Sequence, residues 1–166
     1  MSADAIVQLK DDHKEIRLAF KKFEAAGEGA TKSKDRLVEK IIELLTVHTY
    51  IENEVMYPEV RRLLPELTDE ILESYEEHHV ADVLVLELAA MSPEAERFDA
   101  KTAVLIETVT HHIEEEETGW FPRVRAGLGR KQLTEIGQRL SAAREKAPHS
   151  PAQPSALKKT ADAILR

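Results

Sequence analysis

The chain of 166 residues contains no cysteine. That absence excludes disulfide bonds, a thiolate nucleophile, thiolate-ligated iron–sulfur clusters and zinc sites built from cysteine. The sequence has no run of about 18 apolar residues, so it predicts no membrane-spanning helix. Basic residues are also in deficit, since 23 Lys and Arg stand against 31 Asp and Glu, for a net charge of −8. We therefore expect neither a membrane nor nucleic acid as a partner.

The remaining composition is typical of one soluble globular domain, with 42% hydrophobic and 33% charged residues. Charged side chains interrupt the N-terminal segment at Asp4, Lys10, Asp11 and Asp12. A secretory signal needs a longer apolar core than this segment offers. A cytoplasmic location is the default expectation.

Every long segment has the three-to-four-residue apolar spacing of an amphipathic helix. The spacing predicts four long helices and a shorter fifth, over about residues 3–26, 33–58, 68–90, 92–127 and 130–146. Pro58 is expected to kink or break the second helix because it lacks a backbone donor. Thr68 is expected to cap the third helix, and Ser92 with Pro93 to start the fourth.

Short connections between long helices favour antiparallel neighbours. We therefore predict an all-α fold, an up-down-up-down four-helix bundle with a short fifth helix, over residues 1–146. A proline-containing linker and C-terminal tail are predicted over residues 147–166. Residues 155–166 are expected to pack weakly or remain disordered.

A duplicated motif is the most informative pattern in the chain. Each copy reads His-x3-Glu-x4-aromatic-Pro, and the copies consist of His48, Glu52, Tyr57 and Pro58, then His112, Glu116, Phe121 and Pro122. A His and a Glu four residues apart on a helix point to the same side, one turn apart. Each copy can therefore offer one imidazole and one carboxylate to a metal ion.

Two further histidines extend this repeat to the other predicted helices. His13 precedes His48 by almost the same separation as His78 precedes His112. If each pair of helices folds as a hairpin, each hairpin brings its two histidines to about the same depth. The predicted metal ligands are therefore His13, His48, Glu52, His78, His112 and Glu116.

Neighbouring residues offer alternatives to two of these ligands. His79 competes with His78 as a ligand. When the two halves of the chain are aligned so that their apolar positions match, His78 pairs with His13, which favours His78 over His79. His111 and Glu115 are also four residues apart, but the match to the first copy of the motif favours His112 and Glu116.

The donor set constrains the kind of metal. Imidazoles and carboxylates form a mixed nitrogen and oxygen set that suits iron, manganese or zinc better than calcium or magnesium. Six side chains are too many for one tetrahedral zinc ion, and they suit two ions that share carboxylates. Metal binding would also offset the cost of burying these polar groups in a bundle.

These motifs resemble the hemerythrin-like, or HHE cation-binding, proteins over roughly residues 5–125. The matching pieces are Asp12-His13, His48-x3-Glu52, Glu77-His78 and His112-x3-Glu116, with the two aromatic-Pro pairs. The resemblance implies a four-helix bundle that holds two iron ions with a bridging oxo, hydroxo or water ligand. It further implies that Glu52 and Glu116 bridge the irons, with His13 and His48 on one and His78 and His112 on the other.

The sequence departs from the oxygen-carrying hemerythrins at two positions. Those proteins have a second histidine four residues after the one that matches His78, where this chain has Asp82. Their carboxylate in the fourth helix is an Asp five residues after its histidine, whereas Glu116 lies four after His112. We expect Asp82 to be a surface or supporting residue rather than a ligand.

The resemblance implies a protein that binds dioxygen, peroxide or nitric oxide, and it is compatible with redox or catalase-like turnover of that ligand. A non-catalytic oxygen or iron sensor, or an iron store, is the alternative, and a plain helical interaction module is a third reading. Whether the chain is an enzyme stays open at this point. The aromatic residues near the motifs are predicted to serve core packing rather than redox chemistry: Tyr50, Tyr57, Trp120 and Phe121.

Overall fold

The computed structural model describes residues 3–151, and all regular structure in that range is helical. The seven α-helices are α1 (Ala5–Ala25), α2 (Thr31–Ile51), α3 (Tyr57–Leu63), α4 (Thr68–Ala89), α5 (Phe98–Glu115), α6 (Phe121–Gly127) and α7 (Arg130–Lys146). This confirms the predicted helical bundle with its short fifth helix. The predicted tail of residues 155–166 lies outside the described residues.

Two five-residue π-helices join α2 to α3 and α5 to α6. They span Glu52–Met56 and Glu116–Trp120, so each begins at the Glu of one motif copy and ends before its aromatic-Pro pair. Proline has no N–H, and its ring collides with the carbonyl four residues earlier. The wider π-turn accommodates the proline, and the backbone N–H of the preceding aromatic residue bonds to the carbonyl of the Glu. Pro58 therefore widens its helix instead of ending it.

Four long arms form the bundle: α1, α2 with α3, α4, and α5 with α6. The α1 helix packs on α2, and α4 packs on α5, so each half of the repeat is a helical hairpin. The α7 helix then lies against α1 and α2. This arrangement places the two copies of the motif side by side in the interior.

Apolar side chains fill the bundle on both sides of a polar layer. One cluster contains Ile6, Leu9, Tyr57 and Phe121, and α7 contributes Leu140 to it. The other cluster contains residues of α1, α2, α4 and α5, including Ile16, Phe20, Val38, Val85 and Leu105. The predicted metal ligands lie between the two clusters.

Two helix starts differ from the prediction. Thr68 is the first residue of α4 rather than its cap, because a 3-10 turn over Pro65–Leu67 leads directly into the helix and the Thr68 hydroxyl bonds to the carbonyl of Pro65. Ser92 accepts a hydrogen bond from the backbone of Glu94 in a turn, and α5 begins only at Phe98. In both places consecutive turns, rather than a side-chain cap, set the helix start.

Candidate metal centre

The six predicted ligands are brought together in the bundle interior. Their exposed fractions are all between 0 and 5%, although every one of them is polar or charged: His13, His48, Glu52, His78, His112 and Glu116. Each of the four long arms supplies at least one of them. Such a layer is costly to desolvate unless its charges and lone pairs find partners.

One half of the layer contains His13, His48, Glu52 and Glu116, called here the His13/His48 half-site. One ligand atom from each lies within 4.8 Å of the others. Nε2 of His13 is 3.2 Å from Oε2 of Glu116, and Nε2 of His48 is 3.0 Å from Oε1 of Glu52.

The polar atoms that converge in this half-site share an unusual property. Within residues 3–151 they have no hydrogen-bond partner outside the half-site and face only one another, although they are fully buried: His13 Nε2, His48 Nε2, Glu52 Oε1 and Glu116 Oε2. Buried polar atoms are normally satisfied. Two imidazole nitrogens and two carboxylate oxygens aimed at one point fit a metal cation of borderline hardness.

The other half of the layer contains Glu52, His78 and His112, called here the His78/His112 half-site. Its three ligand atoms also lie within 4.8 Å of one another. Nε2 of His78 is 2.9 Å from Oε2 of Glu52 and 3.1 Å from Nε2 of His112. Because Glu52 offers one oxygen to each half-site, its carboxylate is placed to link them.

Tyr57 adds a donor to this half that the sequence reasoning missed. Its hydroxyl donates to Oε1 of Glu116 at 2.6 Å and lies 3.0 Å from Oε2 of Glu52. It also lies 3.0 Å from Nε2 of His78 and 3.3 Å from Nε2 of His112. Its ring packs in the core as predicted, but its oxygen belongs to the site. In the repeat, Tyr57 aligns with Phe121, which has no hydroxyl, and this difference was the sequence feature that could have indicated a role for the Tyr57 oxygen.

Each histidine also uses its outer nitrogen, Nδ1, to bond to a fixed acceptor. His13 donates to Glu117 at 2.8 Å, and His48 donates to Asp12 at 3.0 Å. A donor at Nδ1 leaves Nε2 as the free lone pair that a metal needs. In the other half, His112 donates to Glu77 at 3.1 Å and His78 to Asn53 at 2.8 Å.

Charges within the layer compensate one another. Burial disfavours the charged form of His48, but Glu52 and Asp12 outweigh this and raise its pKa to about 10. Burial alone would raise the pKa of Glu52, but the charge of His48 and hydrogen bonds from the histidines hold it well below its usual range. Burial and the charges of Glu116 and Glu52 raise the pKa of the Tyr57 phenol well above its usual range. A bound cation would oppose the raised pKa values of His48 and Tyr57 and displace protons from these groups.

The alternative ligands lie elsewhere. His111 and Glu115 pair at 2.9 Å on the surface, with side chains 64% and 44% exposed. Asp82 belongs to neither half-site. Burial raises the pKa of Asp82 to about 6, against the opposing charge of His79.

A small cavity borders the layer. It has a volume of about 10 Å³ and is lined by apolar and polar side chains of α2, α4 and α5, among them His48, His78 and His112. That volume is close to the space needed for one water-sized molecule.

Among residues 3–151, no helix combines the length and apolarity needed to cross a bilayer.

Comparisons with known proteins agree with this fold. One solved structure has the same fold, with a TM-score of 0.73 and 20% sequence identity. It is the hemerythrin HHE cation-binding domain-containing protein from Mycobacterium kansasii, a homologue of Rv2633c. The match covers 87% of this chain and 86% of that one. A DNA nickase from Nostoc sp. (strain PCC 7120 / SAG 25.82 / UTEX 2576) is 26% identical over 138 residues, which are 83% of this chain. The chain spans 38% of the length of that relative.

The family model of the hemerythrin HHE cation-binding domain matches residues 4–124, which include the six buried His and Glu side chains of the two half-sites. This chain therefore belongs to the hemerythrin HHE cation-binding family, and its bundle brings together His and Glu side chains that could hold metal ions.

Proposed function

We propose that this protein binds two iron ions in the polar layer and uses them to bind dioxygen, peroxide or nitric oxide, with redox turnover of that ligand. His13 and His48 would hold one ion, and His78 and His112 the other. Glu52 and Glu116 would serve both, with an oxo, hydroxo or water ligand between the ions. Iron supplies the redox chemistry and the open position for the small ligand.

The observation that carries this proposal is the set of four buried ligand atoms without hydrogen-bond partners in the His13/His48 half-site. Two imidazole nitrogens and two carboxylate oxygens that face one another suit a cation, and the donors match those of non-haem iron. The second half-site shares Glu52 with the first and adds two imidazoles. Two ions that share carboxylates use this donor set better than one ion would.

The surroundings favour a small, uncharged ligand. The neighbouring cavity has a volume of only about 10 Å³, so it would exclude most organic substrates. The hydroxyl of Tyr57 donates a hydrogen bond to a carboxylate of the site, Glu116. The Nδ1–H groups of His48 and His13 donate to Asp12 and Glu117, and these hydrogen bonds fix the orientation of the two imidazole rings.

A non-catalytic role as an oxygen or iron sensor, or as an iron store, uses the same site. DNA cleavage, the activity named for the Nostoc relative, is not part of the proposal, because a net charge of −8 opposes contact with phosphates.

Metal content and the absorption spectrum of the purified protein test the proposal. We expect two irons per chain after expression in iron-rich medium, with near-ultraviolet bands from oxygen ligands on iron. Protein without iron under those conditions would overturn it. Oxygen release on addition of hydrogen peroxide then distinguishes turnover from simple binding.

A further inference from the structure

The hydrogen bonds outside the metal layer follow the same repeat as the ligands. Asp12 and Glu77 occupy equivalent positions, each directly before a histidine ligand, and each bonds to the histidine of the next helix in its own hairpin, His48 or His112. This pair therefore keeps the symmetry of the two half-sites, because both members are carboxylates.

The second pair of supporting positions breaks that symmetry. Glu117 and Asn53 also occupy equivalent positions, each directly after a glutamate ligand, and they bond to His13 and His78 at the same distance of 2.8 Å. One acceptor is a carboxylate and the other is a neutral amide. A carboxylate makes an imidazole a stronger donor to metal than an amide does.

The difference extends one residue further out. Arg17 donates to both carboxylate oxygens of Glu117 at 3.1 Å, which fixes that side chain in place. Arg17 lies one helical turn after His13, and the equivalent position after His78 holds Asp82, an acid that cannot repeat this contact. In the His13/His48 half-site, Asp12 is also held by an arginine, Arg144 of α7, at 2.8 Å.

The two half-sites also differ in the contacts of their ligand atoms inside the layer, and this difference again favours metal binding in the His13/His48 half-site. In the His13/His48 half-site the four ligand atoms face only one another, His13 with Glu116 at 3.2 Å and His48 with Glu52 at 3.0 Å, so a metal ion between them displaces no third residue of the described chain. In the His78/His112 half-site, the Tyr57 hydroxyl already bonds to the carboxylates and lies beside both imidazoles. A divalent ion there must disturb those bonds.

We propose that the two half-sites take up divalent metal in a fixed order, the His13/His48 half-site first, and that the Arg17–Glu117 pair is the positioning device that sets this order. The inference rests on the proposed two-ion centre. Glu117 acts through its hydrogen bond to Nδ1 of His13 and would not itself coordinate the metal ion.

Titration of the metal-free full-length chain with Co²⁺ under anaerobic conditions tests the order, by calorimetry and by the d–d absorption of each bound ion. We expect two steps whose dissociation constants differ by about 10-fold or more. Glu117→Gln should weaken the first step by about 10-fold and alter the spectrum of the first ion. Glu114→Gln, at an exposed position of α5 outside both half-sites, is the matched control and should change neither step.

Exchange of the supporting residues makes the test reciprocal. Asn53→Glu with Asp82→Arg copies the Glu117 and Arg17 arrangement behind His78 and should tighten the second step toward the first. Equal affinities for both ions in the unaltered chain, or a Glu117→Gln variant in which only the second step weakens, would overturn the order while leaving the two-ion centre standing. A chain that binds no Co²⁺ at all would overturn the proposed centre itself.

Discussion

The hydroxyl of Tyr57 donates a 2.6 Å hydrogen bond to Glu116, which ties the first copy of the repeat to the second through one proton. The matching residue of the second copy is Phe121, whose ring stacks on His13 with centroids 6.0 Å apart and offers no donor. The two half-sites therefore have similar ligands but different neighbours.

Tyr57→Phe should change the colour of the iron-loaded protein. The Tyr57 oxygen lies within 3.3 Å of two imidazole nitrogens that are predicted to bind metal, so we expect a phenolate-to-ferric absorption band in the visible range that this variant loses. Tyr75→Phe is the control, because the Tyr75 ring packs edge-on against Tyr57 while its hydroxyl bonds to the backbone of Asn53. Identical visible spectra for Tyr57→Phe and the unaltered protein would refute a role of this phenol at the metal.

The helices and the ligand cluster could be predicted from the sequence because both depend on periodic spacing. The duplicated motif also selected His112 over His111, and the structure buries the first and exposes the second. The role of the Tyr57 hydroxyl could not be predicted from periodic spacing, because the position of this residue depends on the π-helix that begins at Glu52. Hydrogen-bond partners such as Asn53 depend on the packing of one hairpin against the other, which spacing along one helix does not specify.

Glu116→Ala should abolish the loading of two irons, because this carboxylate reaches both half-sites at 3.2 Å from His13 and 3.4 Å from His112. The exposed neighbour provides a matched comparison, since Glu115 has the same four-residue spacing from His111. Glu115→Ala should retain two irons. Iron analysis of both purified variants gives the answer, and two irons in Glu116→Ala would show that this carboxylate is not required.

Metal uptake should release protons and become tighter as the pH rises. The raised pKa of His48, about 10, means that its imidazole carries a proton at neutral pH in the metal-free protein, and an arriving ion must displace it. Apparent affinity should rise about tenfold per pH unit for each proton displaced, between about pH 6 and 8. Calorimetric titrations in buffers of different ionisation enthalpy count those protons. An affinity that does not change with pH would contradict the protonated state of His48.

Asp82→Asn should stabilise the protein at neutral pH. Burial raises the pKa of Asp82 from 3.8 to about 6, so the folded state binds this proton more tightly than the unfolded state does. Its charged form therefore costs stability, and the cost grows as the pH rises from about 4 to 6 and is full above that range. The gain in unfolding free energy should be about 3 kcal/mol at pH 7 and about half of that at pH 5.

Urea unfolding in the presence of a chelator measures this gain without any contribution from metal loss. Glu73→Gln, at an exposed position of the same helix, controls for the change in net charge and should have little effect at either pH. A gain for Asp82→Asn that is equal at pH 5 and pH 7 would mean that the buried charge is not its cause.

Diffraction from crystals of the iron-loaded protein, recorded at the iron absorption edge, tests the central claim most directly, because anomalous peaks locate each iron independently of its chemistry. We predict two peaks per chain inside the bundle, one bounded by His13 and His48 and the other by His78 and His112. A single peak, no peak in the polar layer, or iron bound only at the exposed His111–Glu115 pair would contradict the two-iron centre.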